Sequence, residues 1–173
     1  MKQYRLEEFG GCGDNLFDNS DVFRRAFEAI AEGGTLVIGP GVYRTGPLHL
    51  KATGCTVRFE EGATLSFIAE AERYRPVYTR WEGVDCWALH PLFLITDSHD
   101  LTIEGPGLLD GNGSWWWKEQ RYKKDHQSGP ESAIERELAA LNPSYQSQSG
   151  GGGGSRSSSS VHRLCSSTRV HIL

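Results

Sequence analysis

The chain has 173 residues, 38% hydrophobic and 10% aromatic, enough for one ordinary domain to bury a core. Its formal net charge is −4, and Lys and Arg are scattered apart from a cluster over 118–124, so nothing in the charge calls for a nucleic-acid partner. The start, Met1-Lys2-Gln3-Tyr4-Arg5, has no apolar signal core, and no segment approaches the ~20 apolar residues of a membrane span. The expectation is a cytoplasmic protein with no membrane partner, unless a mis-assigned start hides a secretion signal. In a reducing compartment the four cysteines at 12, 55, 86 and 165 are expected as thiols, with Cys55 and Cys86 acting as small buried apolar residues.

In chain order, the first periodic segment carries Val22, Phe23, Ala26, Phe27 and Ile30. That spacing is the stripe of an amphipathic helix over roughly 21–31, with Asn19 or Ser20 as N-cap and Gly33-Gly34 as the stop. The period then changes. Short β-rich runs follow at Thr35–Ile38, Val42–Thr45, Leu48–Leu50, Thr56–Phe59, Ala63–Phe67, Leu92–Thr96, Leu101–Ile103 and Leu108-Leu109, punctuated by Gly and Pro. The 68–91 and 111–130 stretches interrupt the pattern and are expected as loops of the kind that carry binding residues. A second helix is expected after Glu131, with Ile134, Leu138 and Leu141 on one face and its end at Asn142-Pro143.

The nine residues from Val57 to Leu65 share a layout with Leu101 to Leu109, each an apolar strand, an acidic Gly-containing corner and a second apolar strand. Repetition of that kind marks a coil. A sandwich would reverse its strands through hairpin turns such as Asn-Gly, which the first 110 residues lack, so a single-stranded parallel β-helix is the expected all-β fold, with the amphipathic helix as its cap. Residues 1–150 are read as those coils and 151–173 as a Gly/Ser-rich tail, expected disordered.

The stretch Gly33 to Leu50, preceded by Gly13-Asp14 and Asn19, resembles the opening of the family 28 glycoside hydrolases, the polygalacturonases. Glu60 to Leu65, Arg80-Trp81-Glu82-Gly83 and Ile103 to Gly111 ahead of Trp115-Trp116 continue the resemblance in order, over about residues 8–150. The Arg-Trp-Glu-Gly stretch is most like bacterial exo-acting and unsaturated-pectin-processing members. The resemblance implies a right-handed, pectin-lyase-like β-helix and hydrolysis of galacturonide linkages with inversion, using aspartates of a later coil beside a His and an Arg-Lys pair. The sequence holds no adjacent Asp pair, no Asn-Thr-Asp, no Gly-His-Gly and no Arg-Ile-Lys, so no catalytic residue is assigned and the chain alone is expected to be inactive. The implied partner is a pectin-derived oligogalacturonide or related uronide, with no cofactor and no metal.

Substrate contact is assigned to Arg80, Trp81 and Glu82: Trp offers an apolar face to a sugar ring and Arg a fork to a uronate carboxylate, although loop anchoring is the competing role. Asp97-Ser98-His99-Asp100 and Asp110-Gly111-Asn112-Gly113 are read as turns. Trp115 to Trp117 cannot all point inward from an extended segment, so at least one is expected exposed or under the following helix. His49, His90 and His99 have no ligand spacing. A non-catalytic β-helix module that binds polysaccharide is the alternative. A calcium-dependent lyase would need an acidic cluster that is not legible here.

Ser158 to Ser167 corresponds residue for residue to the continuation expected from the family, Gln-Phe-Leu-Arg-Pro-Pro-Leu-Val-Gln-Leu, read one base late. A frameshift is therefore expected, together with an exposed strand edge and poor solubility.

Overall fold

The computed structural model of the protein describes residues 2–81, 84–126, 132–143 and 169–171. These divide into two compact units: one within Met1–Ile68 and Leu92–Asn112 plus the strand at 169–171, the other within Ala69–Pro91 and from Gly113 onward.

The first unit is built of stacked coils. Its chain runs β1 (Gln3–Arg5), β2 (Asp14–Asp18), α1 (Ser20–Ile30), β3 (Gly34–Ile38), β4 (Gly41–Thr45), β5 (Leu48–Leu50), β6 (Cys55–Phe59) and β7 (Ala63–Phe67). After β8 (Pro76–Trp81) and β9 (Val84–Leu89), which belong to the second unit, it resumes with β10 (Phe93–Ile95), β11 (Thr102–Glu104) and β12 (Leu108–Asp110). Sheet order is β1-β3-β6-β11 on one face, β2-β4-β7-β12 on the next and β5-β10 on the third, all parallel. Each strand therefore lies on the one a full turn earlier, which is the arrangement of a single-stranded parallel β-helix.

Register converts this stacking into a core. Tyr4, Leu36, Val57 and Ile103 form one ladder, and Tyr43, Leu65 and Leu109 another. Leu36, Val57 and Leu65 are completely buried. Alternation sends Thr35, Thr56 and Thr102 to the opposite face of the first sheet. Each fully buried Leu, Ile, Val or Phe contributes about 1.5–3 kcal/mol, against about 0–1 kcal/mol for an exposed ion pair, so the ladders dominate stability. α1 sets Val22, Phe23, Ala26, Phe27 and Ile30 into the same core, and Phe27 meets Phe93 at 5.8 Å between ring centroids. The sequence-expected cap is thus a packed helix.

Its N-terminus differs in detail from the expectation. Asn19 occupies the N-cap position without capping through its side chain; Asp18 Oδ1 accepts from Ser20 N at 3.0 Å instead. The Asn19 side chain is fully buried and committed elsewhere.

The repeat within the coils also needs correction. Leu65 pairs with Leu109 as aligned by sequence, but Val57 pairs with Ile103, two residues beyond the Leu101 that the alignment put there. A slip of two keeps every side chain on its face, which is why the hydrophobic pattern could not reveal it. The later corner is two residues shorter, and Gly105 and Gly107 make that possible by lying directly against Phe59.

The second unit holds β8 and β9, α2 (Gly113–His126) and α3 (Ala133–Leu141). β8 and β9 pair antiparallel, so the first 110 residues do contain a hairpin. Its turn residues, Glu82 and Gly83, lie outside the described residues. Trp115 to Trp117 are helical, not extended: Trp116 is buried, while Trp115 and Trp117 are 40% and 44% exposed. Trp116 meets Tyr74 edge to face at 5.4 Å. α3 starts on Ser132, whose hydroxyl accepts from Glu135 N, and buries Ile134 and Leu138. Leu141, expected on the same face, is 37% exposed. β13 (Arg169–His171) pairs antiparallel with β12, and residues 144–168, which include the Gly/Ser run and Cys165, lie outside the described residues. Among the described residues no helix is long and apolar enough to cross a membrane.

Candidate functional site

Of the residues assigned to substrate contact, Arg80 and Trp81 end β8 of the β8–β9 hairpin. Directly opposed pairs are Tyr78 with Trp87, Thr79 with Cys86, Arg80 with Asp85 and Trp81 with Val84. Opposed residues share a face and alternate pairs change face. Pro76, Tyr78 and Arg80 of β8 therefore share a face with Asp85, Trp87 and Leu89 of β9. The other face carries Cys86 and Ala88, both buried, with Val77 and Thr79 half-buried.

Arg80 is exposed, as is Asp85 opposite it. Among the described residues Arg80 makes no ion pair. Trp81 ends β8, one register position on from Arg80. The aromatic residues that share Arg80's face are Tyr78 and Trp87, with ring centroids 5.6 Å apart and planes inclined at 62°. Tyr78 is 64% exposed. Glu82 lies outside the described residues.

Asn142 fixes this pair. Its Oδ1 accepts from Trp87 N at 2.9 Å, and its Nδ2 donates to Trp87 O at 2.9 Å and to Leu138 O at 2.8 Å. Both Trp87 peptide groups thus point away from Tyr78, leaving Tyr78 and Trp87 as a non-hydrogen-bonded cross-strand pair, the type whose side chains approach closest. The sequence offered Asn142-Pro143 only as a helix stop. A residue that ends a helix and clamps a neighbouring strand carries no distinct sequence signal.

The remaining polar clusters build corners. Ser98 Oγ accepts from Ala52 N at 3.1 Å and donates to Thr96 O at 2.8 Å, while Asp97 and Asp100 adopt φ of 45° and 52°. Lys51 Nζ donates to Asp97 at 2.8 Å, and this charged partner holds the Asp97 carboxyl below its ordinary range. In the corner at 110–113 the positive φ falls on Asn112 (49°) instead of a glycine. Asp110 Oδ1 accepts from Asn112 N at 3.0 Å, and Asn112 Nδ2 donates to Phe67 O at 2.6 Å, tying one coil to the previous one. His49 Nε2 lies 2.7 Å from Thr96 Oγ1, and His90 Nδ1 lies 2.7 Å from Pro91 O. Among the described residues no group of three His, Cys, Asp or Glu is placed to hold a metal ion.

No family model matches the chain. An Arabidopsis thaliana protein named probable polygalacturonase is 31% identical over 119 residues, which is 65% of this chain and 24% of that protein. An exo-poly-alpha-D-galacturonosidase of Dickeya chrysanthemi is 28% identical over 132 residues, covering 72% of this chain and 21% of that protein. The chain thus spans about a quarter or less of these relatives' lengths. Among solved structures, a hyperthermoactive exopolygalacturonase from Thermotoga maritima is 30% identical with a TM-score of 0.65, covering 86% of this chain and 34% of that one. The family 28 exopolygalacturonase of Yersinia enterocolitica is 23% identical with a TM-score of 0.56, over 64% of this chain and 21% of that one, a likeness of fold. The stacked coils are those of the right-handed parallel β-helix. Sequence and fold together make this chain a relative of the family 28 polygalacturonases, over part of its own length and a minority of theirs.

Proposed function

We propose that these 173 residues are a portion of a pectin hydrolase that cleaves galacturonide linkages by inversion, contributing scaffold coils and sugar contacts but not the reacting carboxyls. The observation that supports this best is the joint likeness in sequence and fold to the Thermotoga maritima exopolygalacturonase. Inversion needs a general acid on the leaving oxygen and a base activating water on the opposite face, with the carboxyls about 6.5–9.5 Å apart. The sequence lacks the paired-Asp, Asn-Thr-Asp, Gly-His-Gly and Arg-Ile-Lys segments that the family uses there. Two acidic residues near coil corners are already engaged: Asp110 accepts from the Asn112 amide and Asp97 from Lys51.

A second reading, a polysaccharide-binding module without chemistry of its own, draws support from the exposed Tyr78 and Arg80 on one hairpin face. The test of the hydrolase portion is incubation with polygalacturonate, with and without calcium, following reducing ends and unsaturated products. Neither is expected from this chain. Reducing-end release would overturn the division of labour, and calcium-dependent unsaturated products would overturn the hydrolase class in favour of a lyase.

A further inference from the structure

We infer that Tyr78, Arg80 and Trp87, on the exposed face of the β8–β9 hairpin, form a contact surface for a uronate-bearing sugar. The inference rests on the galacturonide reading above and names the residues that would hold the sugar. Tyr78 takes the C–H face of the ring, Trp87 packs at a steep angle beside it, and Arg80 takes the carboxylate.

Three observations meet there. A tyrosine left 64% exposed beside a tryptophan, with the rings 5.6 Å apart, presents a large rigid surface with few rotatable bonds to freeze. Arg80 stands next along the same face, is exposed and, among the described residues, is in no ion pair, and its guanidinium offers the forked geometry that fits a carboxylate. The surface is also pre-organised: Asn142 holds both peptide groups of Trp87, and Cys86 and Ala88 bury the hairpin's other face. Asp85, opposite Arg80, supplies an acceptor for a ring hydroxyl and offsets the single positive charge of Arg80. A single carboxylate on a stacked sugar suits that balance better than a densely charged polyphosphate.

The test is affinity electrophoresis of the 173-residue chain in gels containing polygalacturonate or a neutral galactan, at moderate salt. Expected is retardation by polygalacturonate alone, weakened roughly tenfold or more by Arg80→Gln, because a charge-assisted hydrogen bond is lost, and less by Arg80→Lys. Tyr78→Ala should weaken it several-fold, while Trp115→Ala on α2 should leave it unchanged. Arg80 and Tyr78 are exposed, so unaltered thermal melting will separate loss of contact from loss of fold. Wild-type retardation that neither variant alters would overturn the surface but leave the galacturonide reading standing. Equal retardation by galactan, or none at all, would overturn the surface as well, and the turnover assay above would then judge the hydrolase reading separately.

Discussion

The Asn19 carboxamide closes both peptide hydrogen bonds of Cys12: Oδ1 accepts from Cys12 N at 2.9 Å, and Nδ2 donates to Cys12 O at 3.0 Å. The same Nδ2 lies 3.0 Å from Phe17 O and 3.2 Å from Arg44 O, so one buried side chain joins the first coil, its loop and the second coil. Asn142 serves Trp87 in the same way in the other unit.

Replacing Asn19 by Ala should therefore cost about 3 kcal/mol, because several buried peptide groups lose their partner and each unsatisfied group costs about 1–3 kcal/mol. Asn19→Asp should be comparably damaging at neutral pH, since a carboxylate has no N–H to donate to the surrounding carbonyls. Urea melts of both variants measure this, and wild-type midpoints would remove Asn19 from its central role.

The shortened corner at Gly105 and Gly107 makes a sharper prediction. A Cβ on Gly107 would stand 2.5 Å from Phe59 Cβ, and one on Gly105, whose φ is 108°, would collide with the Phe59 carbonyl. Either Ala substitution should destabilise by ~3 kcal/mol or more, whereas Gly54→Ala, with φ 65° and nothing within 4 Å, should cost only about 1 kcal/mol of left-handed strain. Thermal denaturation of the three variants orders them.

Acid should weaken the coil stack through Glu60. Arg5 Nη1 and Nη2 donate to its two oxygens at 3.0 and 2.8 Å, and these bonds hold the Glu60 carboxyl below its ordinary value of 4.5. The folded chain thus ionises Glu60 at a lower pH than the unfolded chain does. The resulting stability is present above the unfolded value and is lost as pH falls through the folded one. The melting-temperature gap between wild type and Glu60→Gln should be open at neutral pH and close as pH falls below the folded-state value, in strong acid. A gap that persists there would assign the effect to packing.

Thiol labelling reports burial directly. Cys12 is half-exposed, whereas Cys55 and Cys86 are buried, and burial pushes the Cys55 thiol up, away from its reactive thiolate. Under native conditions Cys12 should react and Cys55 and Cys86 should wait for unfolding, as mass spectrometry of labelled peptides can follow.

Strand positions were legible where a short apolar run ends at a Gly or Pro corner, as at Gly39-Pro40 after β3 and Gly46-Pro47 after β4. α1 was legible from its five-residue stripe, and the buried Cys55 and Cys86 from composition and context. The hairpin was not, because the sequence between its two strands, Glu82-Gly83, lacks the Asn-Gly signature. α2 was hidden by its three consecutive tryptophans, which obey neither period. The grouping of Arg80 with Tyr78 and Trp87 depends on strand alternation inside a hairpin, which a stretch without strand periodicity does not reveal.

The account rests on Thr102 lying on Thr56 as Ile103 lies on Val57, since that stacking is what links the chain to the polygalacturonase β-helix. Neighbouring strands stand ~4.8 Å apart, within the ~4.4–6.8 Å that a disulfide spans. In a Cys12→Ser background, Thr56→Cys combined with Thr102→Cys should form an intramolecular disulfide readily under mild oxidation, while Thr56→Cys combined with Asp100→Cys should not. Failure of the first pair, or equal cross-linking of the second, would contradict the stacked parallel register.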